Sequence, residues 1–285
     1  MKPILHTMLV VTMAVTACSP ADPQASPPTG SSEQTLTVDG RERMYRVFRP
    51  KGLAEPAPLV LVLHGWGFSA QQAEQDYGWN ALAAKHRFVV VYPEGVGASW
   101  NAGGDCCGPA ADDDVDDVAF ITELVDHLHD AEMVDPRRLF VAGFSNGGAL
   151  AYTLACATDR FAAIGTVAAS QVGDCERPRP TSVFHVHGTA DTIVRFDGAP
   201  AVMPGALAVP SLVKTWRKIN ECTTPEVARR GTVKTSAADC ADGREVTLVL
   251  VAEEAHTWPG HADSSSDWDA TAAMWRMFSR QSTEP

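Results

Sequence analysis

Gly143-Phe144-Ser145-Asn146-Gly147 is the most informative short stretch of the chain. It follows Leu139–Ala142, an apolar run that reads as a strand, and opens Asn146–Ala157, whose small residues read as a helix. A serine at such a strand-to-helix corner is held in a strained backbone conformation that lifts its hydroxyl off the carboxyl edge of a sheet. Glycines flank it because a side chain there would strike neighbouring backbone in so tight a turn. The first N–H of the helix, that of Asn146, points at a developing oxyanion, and the helix N-terminus adds partial positive charge. The G-x-S-x-G pattern in this setting predicts a nucleophilic Ser145.

Outward from this corner, strands and helices alternate. Thr35–Val38 and Arg43–Phe48, joined at Asp39-Gly40, read as a hairpin. Leu59–Leu63, Phe88–Tyr92, Leu139–Ala142, Ala162–Ala169, Val183–Val186 and Val246–Val251 read as buried strands. Helical spacing marks Gln71–Arg87, Asp117–Val134, Ser211–Asn220 and Trp268–Arg280. The alternation predicts an α/β fold: a mainly parallel eight-stranded sheet covered by helices on both faces, the hairpin forming an antiparallel edge. With no repeat and no further break in composition, residues 35–285 are expected to form one domain.

A nucleophilic serine needs a base, and the base an orienting acid. Asp191 leaves the strand Val183–Val186 in His187-Gly188-Thr189-Ala190-Asp191, and His256 leaves Val246–Val251 in Glu253-Glu254-Ala255-His256. Both stand at strand ends, where functional groups of open parallel sheets gather, and they follow Ser145 in the order Ser, Asp, His. Asp197 and His261 are the rivals, each placed less directly. His64, His185 and His187 sit in or beside strands and read as core or backbone-orienting residues. The turn His64-Gly65-Trp66-Gly67 is expected to supply a second oxyanion donor, the N–H of Trp66, beside that of Asn146.

The amino-terminal end reads as address and tether. Lys2 precedes an apolar run, Ile4–Val15, too short and interrupted for a membrane span, which fits a signal peptide over residues 1–17. Val15-Thr16-Ala17-Cys18 resembles the lipobox of bacterial lipoproteins, which implies lipidation of Cys18 and attachment to a membrane. Residues 18–34, rich in Pro and Ser, read as a flexible tether. A net charge of −12, from 35 acidic against 23 Lys and Arg residues, argues against a nucleic-acid partner. Lipidation of Cys18 would leave six of the seven cysteines, an even number suited to an oxidising compartment. Cys222 and Cys240 bracket one loop and are expected to pair. Either Cys106 or Cys107 could reach Cys175, with Cys156 free or paired to the other.

Taken in order, several segments resemble a group of α/β-hydrolases containing polyhydroxybutyrate depolymerase-like, feruloyl and acetylxylan esterases of the carbohydrate esterase 1 type. They are Leu63-His64-Gly65, Ser99-Trp100-Asn101-Ala102-Gly103 with Cys106-Cys107-Gly108, Val115–Phe120, Gly143–Gly148, Phe161-Ala162-Ala163, His187–Asp191 and His256-Thr257-Trp258-Pro259-Gly260. The resemblance implies an α/β-hydrolase fold and hydrolysis of a carboxylic ester by Ser145, His256 and Asp191 without a cofactor. Some depolymerase-like members carry Cys after His-Gly where this chain has Trp66, which weighs against direct transfer of polymer-depolymerase activity.

The twelve residues Ser170–Thr181 are too few for a cap domain, so the site is expected to be open and shallow. Trp66, Trp100 and Trp258, all on motif loops, are expected to stack on an aromatic acid or a sugar ring. The acidic run Asp112–Asp114 with Asp116 and Asp117 lacks an EF-hand pattern and reads as helix capping, not a metal site. The expected function is an exported, lipid-anchored serine carboxylesterase of the feruloyl or acetylxylan type. The alternatives are a polyhydroxyalkanoate depolymerase, a serine peptidase on the same fold, and a non-catalytic binding protein.

Overall fold

The computed structural model describes residues 29–283 apart from 131–133, 174, 177, 199–202, 204 and 262. The signal peptide, Cys18 and the tether up to residue 28 lie outside the described residues.

Ten strands among the described residues form one sheet: β1 (Gly30–Val38), β2 (Arg41–Arg49), β3 (Ala57–Leu63), β4 (Val89–Pro93), β5 (Val134–Phe144), β6 (Ala163–Val167), β7 (Ser182–Gly188), β8 (Glu226–Arg230), β9 (Val233–Asp239) and β10 (Glu245–Val251). Their order is β1-β2-β4-β3-β5-β6-β7-β10-β9-β8. The central run from β4 to β10 is parallel, and the pairs at either end are antiparallel. Strands β3, β4, β6 and β7 are buried along their whole length, as covering on both faces requires.

The covering helices are α1 (Ala70–Asp76), α2 (Trp79–His86), α3 (Gly108–Asp112), α4 (Asp117–Asp130), α5 (Asn146–Ala157), α6 (Val209–Ile219) and α7 (Ala270–Phe278). One apolar layer gathers Phe120, Leu124, Tyr152 and Trp216 from α4, α5 and α6. The other gathers Trp79, Phe88, Phe140, Trp275 and Phe278, with α2 and α7 on its outside.

Four sequence expectations change. The sheet has two more strands than the eight predicted, because β8 and β9 pair at the far edge. All five residues of β8 are exposed, so no alternation of apolar and polar residues betrays it. Strand β1 begins at Gly30, five residues inside the stretch read as tether. Its Ser- and Glu-containing start is held by ladder pairing to β2 and by Glu33 and Arg46, 3.0 Å apart. The single helix expected over Gln71–Arg87 is broken at Tyr77-Gly78, where Gly78 takes φ 74°. Cys222 pairs with Cys240 as expected, whereas Cys156 pairs with Cys175 and Cys106 with its neighbour Cys107.

Candidate active site

Ser145 sits between β5 and α5 at φ 52° and ψ −117°, a left-handed-side conformation unusual for a residue with a side chain. Its N–H is held by the carbonyl of Val167 at the end of β6, at 2.9 Å. The flanking glycines have steric causes. A Cβ on Gly143 would lie 2.3 Å from the carbonyl oxygen of Gly147, and one on Gly147 would lie 2.4 Å from that of His64.

The structure brings Ser145, His256 and Asp191 together from three strand ends. Ser145 Oγ lies 2.9 Å from His256 Nε2, and His256 Nδ1 lies 2.8 Å from Asp191 Oδ2. Asp191 Oδ1 accepts from the N–H groups of Ile193 and Val194, both at 2.9 Å, so its two oxygens have separate tasks. The loop carrying Asp191 is tied to the loop carrying His256. Ala190 N–H donates to Glu254 O at 2.9 Å, and Glu253 N–H to Thr189 Oγ1 at 2.9 Å. The rivals have other partners: Asp197 pairs with Arg195 at 2.7 Å, and His261 faces Asp269 at 3.3 Å.

The turn after β3 passes close to Ser145. A Cβ on Gly65 would lie 3.4 Å from Ser145 Cβ. In this turn the N–H of Gly67 donates to Ala98 O at 2.8 Å and that of Phe68 to Gly65 O at 3.1 Å. Among the described residues, that leaves the N–H of Trp66 without an acceptor. The N–H of Asn146, first in α5, has no acceptor within its helix. The side chain of Asn146 faces the other way and clamps the loop after β4: its Oδ1 accepts from Trp100 N–H at 2.7 Å, and its Nδ2 donates to Trp100 O at 2.9 Å.

His64 is one of the backbone-orienting residues. Its Nδ1–H donates to Gly65 O at 2.8 Å, and its Nε2 accepts from Gly95 N–H at 3.0 Å. Burial pushes its imidazole down to about 4, so it stays neutral as this bonding requires.

Of the three tryptophans expected to meet substrate, two do not. Trp100 is fully buried, with Nε1 donating to His64 O at 2.9 Å. Trp258 is buried too: it stacks on Tyr77 with centroids 4.3 Å apart, and its Nε1 donates to Thr271 Oγ1 at 2.9 Å. Both support loops from beneath. Trp66 is 46% exposed and rests against Gly108. Phe68 and Ile193 are exposed as well, Phe68 edge-on to Phe144 and Ile193 donating its N–H to Asp191. The consequence is testable. Trp66→Ala should raise KM for an aryl ester several-fold with Tm nearly unchanged. Trp258→Ala should cost about 3–5 kcal/mol of stability, read by denaturant unfolding.

Sequence reasoning missed the role of Asp117. It is buried, receiving Arg43 Nη2 at 2.7 Å and the N–H of Asn101 at 2.8 Å, and so fixes the loop that Asn146 also holds. Asp116, by contrast, accepts from Ala119 N–H at 2.8 Å at the start of α4, the capping expected of it. Among the described residues no cluster of three or more His, Cys, Asp or Glu is placed to hold a metal ion. A cavity of about 640 Å³ lies between α7 and strands β8 to β10, and Ser145, His256 and Asp191 do not line it.

Residues 43–209 match the family described as Esterase PHB depolymerase. The chain belongs to that family. Outside the family description, a protein named as an esterase, NocK of Nocardia uniformis subsp. tsuyamanensis, is 32% identical over 88% of this chain and 88% of its own length. Feruloyl esterase C of Emericella nidulans is 25% identical over 84% of this chain and 87% of its own. Among solved structures, the acetyl xylan esterase from Aspergillus awamori superposes with a TM-score of 0.64 at 14% identity, covering 87% of this chain and 99% of that one, which shows the shared α/β-hydrolase fold. With its Esterase PHB depolymerase kinship and these relatives, the chain is a carboxylester hydrolase.

Proposed function

We propose that the chain is an exported serine carboxylesterase that cleaves aromatic or polymer-linked acyl esters through an acyl-enzyme on Ser145. The observation that carries this reading is the continuous series Ser145 Oγ, His256 Nε2, His256 Nδ1, Asp191 Oδ2, with contacts of 2.9 and 2.8 Å. His256 Nε2 takes the proton of Ser145 as Oγ attacks the ester carbonyl. The carbonyl π electrons move to oxygen, and the N–H groups of Asn146 and Trp66 receive the oxyanion. As the carbonyl re-forms, the alkoxide leaves with the proton from His256. Water then attacks the acyl-enzyme, His256 again taking and returning the proton, and the acid departs. Asp191 holds His256 with its proton on Nδ1 and stabilises the imidazolium that forms twice per cycle. These steps need no cofactor.

The substrate class rests on Trp66, exposed in the turn after β3, on the exposed Phe68 and Ile193 beside the site, and on the feruloyl esterase among the relatives. Between β6 and β7 the described residues form no helix or strand that would cap the site. Export is supported by the three disulfides, which persist in oxidising compartments. Attachment through a lipid on Cys18 extends this reading, and mass spectrometry of the mature amino terminus tests it: an unmodified Cys18 removes the anchor.

A panel of methyl ferulate, acetylated xylan, polyhydroxybutyrate film, p-nitrophenyl esters and an aminoacyl amide tests the activity. Turnover of methyl ferulate or acetylated xylan well above the rest is expected. Preference for the film would turn the reading to polyhydroxyalkanoate depolymerisation. Preference for the amide would make it a peptidase, and turnover of none would leave a binding protein.

A further inference from the structure

Behind Asp191 lies a row of buried polar groups that the proposed mechanism does not use. His185 and His187, two apart on β7, stack with centroids 5.4 Å apart and are both wholly buried. His187 Nε2 is 2.8 Å from Val194 O and 3.7 Å from Asp191 Oδ2. His185 Nε2 is 3.1 Å from His187 Nδ1, and His185 Nδ1 is 2.9 Å from both Tyr152 Oη on α5 and Thr166 Oγ1 on β6.

The protons in this row follow from its last member. A carbonyl oxygen only accepts, so His187 must carry its proton on Nε2. A neutral His187 then accepts at Nδ1, so His185 carries its proton on Nε2 and accepts at Nδ1 from one of the two hydroxyls. Every donor points toward the turn of Asp191. A second proton on His187 would set its Nδ1–H against the Nε2–H of His185. Burial pushes both imidazoles down, which agrees with two neutral rings.

We propose that His187, backed by His185, is a positioning residue for Asp191. The backbone of Val194 is held at both ends: its N–H donates to Asp191 Oδ1, and its carbonyl accepts from His187. The proton on His187 Nε2 is thereby kept from Asp191 Oδ2, and that oxygen is reserved for His256 Nδ1. Around this row, Tyr152 packs from α5, Thr166 from β6, and Asp191 and His256 from the loops. Arg195 and Asp197 pair with each other at the surface, and buried Glu254 is held by Thr257 and Ser265.

This inference rests on the Ser145, His256, Asp191 reading, and the experiment separates the two. Wild type must first hydrolyse an ester and take a fluorophosphonate label on Ser145; failure there removes the proposed function itself. Given that, His187→Phe should lower kcat about ten- to hundredfold, the scale of a small misplacement of a catalytic group, with KM changed by less than about twofold. The downfield proton resonance of His256 Nδ1–H should shift or vanish. His187→Gln, whose amide can donate to Val194 O, should recover most of both. The nearly isosteric Tyr152→Phe/Thr166→Val pair removes the donors to His185 without emptying the core, and keeps the test open should His187→Phe not fold. It should lower kcat several-fold and move the same resonance. A folded variant with lowered Tm but wild-type kcat and an unmoved resonance overturns the proposal.

Discussion

Ser145→Ala should leave a folded protein that no longer takes a fluorophosphonate label and whose kcat on a p-nitrophenyl ester is lower by about a millionfold. Ser145 Oγ is the atom that would carry the acyl group, and alanine offers no oxygen. The remaining rate should still exceed that in water, because the N–H groups of Asn146 and Trp66 and the surface that seats the substrate are intact. Tm should stay close to that of wild type. Among the described residues the hydroxyl hydrogen-bonds to His256 alone, at 2.9 Å, while the backbone bond from Ser145 N–H to Val167 O does not depend on the side chain. Mass spectrometry of labelled peptides reads the result. A label that survives the change places the nucleophile elsewhere and ends the assignment.

Asp191→Asn should lower kcat by about ten-thousandfold with little change in KM or Tm. The substitution is nearly isosteric, and the turn can be kept. The asparagine carbonyl accepts from Ile193 and Val194 N–H as Asp191 Oδ1 does now, each at 2.9 Å. The amide nitrogen then faces His256 Nδ1, where it can only donate. Donation to Nδ1 moves the imidazole proton to Nε2, the nitrogen 2.9 Å from Ser145 Oγ, where it cannot take the serine proton. Steady-state kinetics with a thermal melt test this. A kcat within tenfold of wild type in a folded Asn variant would show that Asp191 does not set the tautomer of His256.

The residues of the candidate site were legible because each stands in a short motif at a strand end, where glycine marks the turn. Gly143, Gly147 and Gly188 all meet backbone at distances that exclude a side chain, so the constraint is written locally. What was not legible depends on partners far along the chain. Trp100 and Trp258 sit on site loops yet turn inward, because the carbonyl of His64 and the hydroxyl of Thr271 satisfy their N–H groups. Asp117 looked like one more capping carboxylate, since its ion-pair partner Arg43 lies 74 positions away. Cys156 reaches Cys175 only because α5 and the β6–β7 connection pack together. The first residues of β1 and all of β8 lack an apolar face, and only ladder pairing makes them strands.

A sheet of ten strands that does not close upon itself has two free margins, and here they are β1 and β8. An unpaired margin is a template on which a second copy could add, and so on into an aggregate. Along β8 the exposed side chains include Glu226, Arg229 and Arg230, and along β1 Glu33 is exposed. Adding a further strand to either margin would strip water from these charged groups. The same charged residues that hid β8 from sequence reading therefore make this margin a poor template for a further strand.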